Sequence, residues 1–399
     1  MSALALAKSF RAVAEEVESL LSEPVADAVR REGARFAEEL RQGDGSVVLF
    51  GAGKLGRLCA TALRRANVPL HAFCDGNSRR HGEEVEGCRV MAPSEAAARY
   101  GISSLFIVAI WTGTARESMW ERIDYLRKLG CRLVVPYPAL MWAYGIEAAP
   151  FHSFDLPSRL LAHAQEWRKL AASLSDAASL ETLARALRQR LRGEFGRHVP
   201  VPEQYFPGDL FRLRTDEVVA DGGAFSGDTL ADFLLRTRSA FASYHAIEPD
   251  PQNSLALAKR IGTLPPETRE KITVHSVALH RCRTTLSFAA QGAPHSTVAP
   301  THSTTVPARP LDEVLGGQHV TFLKLDIEGA ELDALHGAEQ VLRRDQPLTA
   351  VCVYHRPEDL WSIPRFLREM LPRHQAFLRE HGFDGWELVS YHVPPERCS

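Results

Sequence analysis

The chain has 399 residues, with 47 Lys and Arg against 49 Asp and Glu for a formal net charge of −2. At about 150 residues per domain this length holds two to three domains, and the near-neutral balance leaves no global basic field for a nucleic-acid partner. Hydrophobic residues at 45%, with 27 Gly and 24 Pro, are ordinary globular usage and exclude a fibrous or low-complexity chain.

The longest apolar run, Leu105–Trp111, falls far short of the roughly 18 residues that cross a bilayer, so no membrane association is expected. The first ten residues run into an acidic helical pattern at Glu15, Glu16 and Glu18 with no small-residue cleavage site, which disfavours a signal peptide. Seven cysteines are scattered without a C-x-x-C pair, which argues against a disulfide framework or a Cys-rich zinc site. A cytoplasmic protein with reduced thiols is the simplest expectation.

Residues 1–44 read as helices. Residues 45–150 form a first α/β unit: strand Ser46–Phe50, a glycine turn, helix Arg57–Ala66, strand Leu70–Cys74, strand Leu105–Ile110, helix Glu117–Leu129 and strand Arg132–Val135. Residues 151–200 are a Leu- and Ala-rich helical connector. From 201 to 399 the alternation restarts, with strands at Glu217–Ala220, Ser243–Ile247, Ile272–Val277, Thr285–Ala289, Phe322–Leu325 and Leu348–Tyr354. Helices are expected at Asp228–Arg236, Pro251–Ile261, Glu331–Arg344 and Ser362–Leu371. Two late apolar stretches near Ala376–Leu378 and Trp386–His392, with little helix between them, suggest an antiparallel pair at a sheet edge. Strands alternating with helices imply mostly parallel sheets covered on both faces.

Each α/β unit opens with a glycine-rich turn, where backbone N–H groups can approach a ligand at the positive end of a helix. The first, Gly51-Ala52-Gly53-Lys54-Leu55-Gly56, has the G-x-G-x-x-G spacing, and Asp75 follows where a ribose-binding acid would stand. Its unit is only about half the size of a two-part dinucleotide fold, so helix–strand packing or assembly into a homodimer competes with nucleotide binding. The second turn, Asp221-Gly222-Gly223-Ala224-Phe225-Ser226-Gly227-Asp228-Thr229, leads with an acid at a strand tip. Glu248 ends the next strand, placed to accept hydrogen bonds from both ribose hydroxyls of a nucleoside, and Pro249, Asp250 and Pro251 then turn the chain. The form suits S-adenosylmethionine, which needs no pyrophosphate cradle. Asp221 can organise the turn or reach toward the methionine ammonium.

At Lys324-Leu325-Asp326-Ile327-Glu328-Gly329-Ala330-Glu331 the sequence resembles the FkbM family of S-adenosylmethionine-dependent methyltransferases. The motif K-x-D-[IV]-E-G-x-E follows the Asp221 turn and precedes Tyr354-His355-Arg356-Pro357-Glu358-Asp359-Leu360-Trp361, so the resemblance covers about residues 203–395. It implies a class I methyltransferase fold, a seven-stranded and mostly parallel sheet with an antiparallel last strand. It also implies methyl transfer to an oxygen of a small metabolite or glycan. By the same resemblance Asp221 to Thr229 form the cofactor loop, Glu248 holds the ribose, and Ser276, Val277 and Ala278 flank the adenine. The first unit resembles truncated Rossmann-like domains attached to some longer members.

Methyl transfer from a sulfonium requires an acceptor that is positioned and deprotonated. Asp326 sits at a strand end, where open α/β sheets place their ligands, and Lys324 lies one step deeper on the same face. Glu328 is in the following turn and His355 ends the next strand, so Asp326, Glu328 and His355 can converge. They could hold a divalent metal that acidifies the hydroxyl, or His355 or Asp326 could act as a metal-free base. A strand-tip acid can also merely cap the following helix. The Ser-, Thr- and His-rich stretch Gln291–Arg309 is expected to loop over the site, with His295, His302 and Ser303 as acceptor contacts. A different reading, an NAD-linked sugar-modifying enzyme or a nucleotide-sensing module, would use the Gly51 turn instead.

Overall fold

The computed structural model describes residues 3–113, 116–145, 147, 149–288 and 304–399. His295, His302 and Ser303 lie outside the described residues. The chain divides into two compact units, one built mainly from residues 1–172 and 180–200 and the other mainly from 201–381 and 387–399.

The first unit begins with helices Ala3–Leu21 and Val25–Leu40. Its strands are β1 (Val47–Phe50), β2 (Leu70–Cys74), β3 (Glu84–Val85), β4 (Cys88–Met91), β5 (Leu105–Val108) and β6 (Leu133–Pro136), arranged β3-β4-β2-β1-β5-β6. The central pair β1 and β5 is parallel and buried at every position, which is why both read as unbroken apolar runs instead of alternating. Helix Met119–Lys128 starts on a capping box, with Ser118 and Glu121 answering each other's backbone N–H. The β3–β4 hairpin and helix Pro93–Tyr100 are additions that the sequence pattern did not reveal.

The Gly51 turn is closed by packing. Gly51 has φ +110°, and a Cβ on Gly56 would stand 2.0 Å from the Gly51 carbonyl oxygen, so helix Lys54–Arg65 can approach β1 only without that side chain. Asp75 turns inward: Ala52 N–H donates to its Oδ2 at 3.0 Å and Asn77 N–H to its Oδ1 at 2.9 Å.

The second unit carries β7 (Val218–Gly222), β8 (Ser243–Ile247), β9 (Ile272–His275), β10 (Ala278–Leu279), β11 (Thr284–Phe288), β12 (Thr304–Arg309), β13 (Phe322–Leu325), β14 (Leu348–Cys352), β15 (Gln375–Glu380) and β16 (Leu388–Val393). The main sheet runs β15-β16-β14-β13-β7-β8-β9. Its strands are parallel except β16, which is antiparallel to both β14 and β15. This is the mostly parallel seven-stranded sheet with an antiparallel last strand. The late pair is antiparallel as expected, but β16 inserts between its neighbours and β15 takes the edge. The strand order reverses between β7 and β13, which opens a crevice at the carboxyl ends of those two strands. A small separate sheet, β10-β12-β11, was not foreseen.

One expected helix divides. Glu331–Arg344 is two helices, Glu331–His336 and Glu339–Asp345. The break falls at Gly337, where a Cβ would come within 2.4 Å of the His280 carbonyl oxygen.

Candidate active site

β7 delivers the second glycine turn. Asp221, on its last step but one, is fully buried, with Lys324 Nζ 2.9 Å from its Oδ1 and the Tyr244 hydroxyl donating to its Oδ2 at 2.6 Å. Both oxygens are therefore taken from within the protein. Lys324, on β13, also donates to the carbonyls of Gly223 at 2.8 Å and Gly222 at 3.2 Å. The pair ties the strand tip to the turn, and Asp221 with Oδ1 and Oδ2 so occupied is an organiser of the loop. Burial works against the Lys324 charge, but Asp221 and Asp326 outweigh it and raise its pKa.

Gly223 has φ +80°, and a Cβ there would lie 1.9 Å from the Asp326 carbonyl oxygen. The turn thus rests directly on the backbone that carries Asp326. Gly227, at φ +84°, precedes helix Asp228–Thr237, with the Asp228 carboxylate exposed and accepting from Thr229 N–H. Glu248, at the end of β8, points into the same turn: Phe225 N–H donates to Oε2 and Asp250 N–H to Oε1, each at 2.9 Å. Burial raises the Glu248 pKa against those two hydrogen bonds. Asp250 has a separate task, capping helix Pro251–Gly262 by accepting from Gln252 and Asn253 N–H. Ser226 gives its carbonyl to Arg260, and Pro249 is half-buried beside the turn.

Residues 276–278 separate from one another. β9 ends at His275, Ser276 is exposed, Val277 is half-buried, and Ala278 enters β10, where it packs with Val306 and Ala308. The Ala278 side chain therefore belongs to the core of the small sheet.

Beyond β13 and β14 the acids gather around one imidazole. His355 is 7% exposed, and its Nε2 stands 3.5 Å from Asp326 Oδ1 and 3.6 Å from Glu328 Oε2. Its other ring nitrogen, Nδ1, is 2.9 Å from Glu331 Oε1, and that oxygen also accepts from Ile327 N–H at 2.8 Å. Glu328 holds its place through a left-handed backbone, φ +57°, and Gly329 follows at +93°. The helix that begins at Glu331 has Ala330 as its N-cap with no side-chain cap, so capping does not explain Asp326 or Glu328. The ligand atoms of Asp326, Glu331 and His355 all lie within 4.8 Å of one another.

The charge states follow from this crowding. Burial alone would lower the His355 pKa, but Glu331, Asp326 and Glu328 push it to about 10, so the ring is an imidazolium at neutral pH. Burial would raise Asp326, but Lys324, His355 and a hydrogen bond from Tyr205 hold it below the usual range. Asp359 and Glu387 are each driven up to about 7, chiefly by burial and then by Glu331 and Asp326 respectively.

Residues 221–384 match the family model described as the methyltransferase FkbM domain. Over those residues the chain is similar to FkbM methyltransferase domains. A crystal structure of a methyltransferase FkbM from Methylobacillus flagellatus KT is similar over 98% of this chain and 100% of that one, at 23% identity and a TM-score of 0.75, which establishes the shared fold. A Rex-family repressor structure, RSP in complex with beta-NADH, covers 26% of this chain and 49% of its own at 20% identity, and its TM-score of 0.21 supports no inference. No curated protein sequence matches the chain.

Within residues 221–384, the sequence-named Asp326, Glu328, Lys324 and His355 do meet at one end of the sheet, while Lys324 is committed to Asp221 beneath them. Three participants were given no role from the sequence. Tyr205, from the segment before β7, donates its hydroxyl to Asp326 Oδ2 at 2.6 Å. Glu387 accepts from the Tyr354 hydroxyl at 3.2 Å, and Asp359 accepts from Arg356 N–H. Glu331 was visible as the last acid of the motif; Tyr205 carried no local signal, because its place depends on a loop folding back across the sheet.

Proposed function

We propose that this protein is an S-adenosylmethionine-dependent methyltransferase that methylates a hydroxyl oxygen of a small metabolite or glycan in the cytoplasm. The reading rests on one juxtaposition: the glycine turn that would seat the adenosyl sulfonium lies in backbone contact with the strand end bearing Asp326. Glu248 is the acid for the ribose hydroxyls, exchanging its bonds to the turn for bonds to the nucleoside. Gly223, Phe225 and Ser226, half-buried in the turn, would face the methionine portion.

The cofactor brings its own electrophile and leaving group, so the protein's share is position and deprotonation. As the carbon–sulfur bond breaks and the carbon–oxygen bond forms, the hydroxyl proton must leave, and the carboxylates around His355 are its destination. His355 itself is already protonated at neutral pH. Its charge therefore favours an oxyanion nearby instead of acting as the base.

Titration calorimetry with S-adenosylhomocysteine tests the reading. Stoichiometric binding by the full chain is expected, and Asp326→Asn should retain it within about tenfold while losing turnover of an accepted substrate. No binding, with or without added divalent cation, would refute the proposal.

A further inference from the structure

The grouping of Asp326, Glu328, Glu331 and His355 has a geometry that acid–base chemistry alone does not require. His355 Nε2 is buried on a side chain only 3% exposed, makes no hydrogen bond, and is aimed at two carboxylate oxygens. Asp326 Oδ1, one of those oxygens, also makes no hydrogen bond. The separations of 3.5 and 3.6 Å are too long for hydrogen bonds of any strength. They are close to the spacing of adjacent ligands on one ion: bonds of about 2.1 Å leave neighbouring ligand atoms about 3.0–3.4 Å apart.

We infer that Asp326 Oδ1 and His355 Nε2, with Glu328 Oε2 3.6 Å from the same nitrogen, hold a divalent cation. Glu331 does not join them. Its Oε1 stands 2.9 Å from Nδ1, the opposite ring nitrogen, the place from which carboxylates orient metal-bound histidines. Two hard oxygens and one imidazole suit a cation of the Mg²⁺ or Mn²⁺ class. Three protein ligands leave positions for water and for the acceptor hydroxyl. The cation takes over from the Nε2 proton as the positive charge among these acids, and that proton leaves to solvent. Use of the cation to acidify an acceptor rests on the methyltransferase reading; its binding does not.

Mn²⁺ is the probe. The full chain, stripped with EDTA and dialysed, is titrated with MnCl₂ and free Mn²⁺ is read by electron paramagnetic resonance. One site per chain is expected. Asp326→Asn and His355→Gln should each weaken it at least 100-fold, and Glu331→Gln about 10–100-fold. Thermal melts show that each variant folds, and Gly262→Ala, remote in its open helix end, should bind as wild type does. Absence of a site at millimolar Mn²⁺, or equal affinity in folded Asp326→Asn and His355→Gln, overturns the inference. The two readings separate cleanly. S-adenosylhomocysteine binding by the stripped protein with no Mn²⁺ site removes the cation and leaves the methyltransferase. A Mn²⁺ site without cofactor binding does the reverse.

Discussion

Gly223→Ala is the most direct probe of the contact on which the site depends. The alanine must keep a left-handed backbone at φ +80°, which costs about 1–2 kcal/mol without glycine. Its Cβ would also stand 1.9 Å from the Asp326 carbonyl oxygen and 3.2 Å from Ile327 Cγ2. Reaching an ordinary C···O contact of about 3.3 Å requires the turn and the Asp326 strand end to part by about 1.4 Å. Relief of that kind of overpacking costs about 1–3 kcal/mol, for a total of about 2–5 kcal/mol. At about 2–4 °C for each kcal/mol, the melting transition of the domain should fall by several degrees at least. Displacing the turn from Asp326 by about an ångström should lower kcat/KM about 100-fold. The matched control is Gly262→Ala, whose Cβ meets nothing within 4 Å, and which should be neutral or stabilising by up to about 1 kcal/mol. Calorimetry, differential scanning fluorimetry and a radiolabelled methyl assay read the three quantities. If Gly223→Ala melts and binds S-adenosylhomocysteine as the wild type does, the turn does not rest on Asp326 and the site argument fails.

Three further tests address other parts of the same unit. Glu248→Gln removes the charge that faces the turn and should weaken cofactor binding by about 1.5–3 kcal/mol, the value of hydrogen bonds to a charged group; unchanged affinity in calorimetry would remove Glu248 from the ribose. Lys324→Met strands the Asp221 carboxylate in the core and should destabilise the fold by about 3–5 kcal/mol in urea, with Lys324→Met/Asp221→Asn recovering part of that loss. An equally unstable double variant would deny the pairing. His392, fully buried on β16, is held neutral, with burial and then His374 driving its pKa down to about 3. The unfolded chain takes up that proton near pH 6.5, so stability falls as pH drops from about 6.5 toward 3, by up to about 1.4 kcal/mol per pH unit. Urea midpoints between pH 6.5 and 4.5 should fall less steeply for His392→Leu, and identical slopes would rule out His392 as a source of acid sensitivity.

The strands of both units were legible because buried parallel strands must be continuous apolar runs: Val47–Phe50, Leu105–Val108 and Phe322–Leu325 admit no other face. The glycine turns were legible for a related reason, since backbone that must bend sharply beside another strand excludes a Cβ, as Gly56 and Gly223 show. The acids at strand tips could be ranked by position, because the carboxyl edge of a parallel sheet is where side chains can converge on a ligand. What each acid does there was decided only by the packed structure. Lys324 and Asp326 are two residues apart in sequence, yet one is consumed by Asp221 from a neighbouring strand and the other opens toward His355. Tyr205 reaches Asp326 from 121 residues away. Local pattern constrains which face a side chain takes, but charge and hydrogen bonding are settled by partners that only the fold brings within reach.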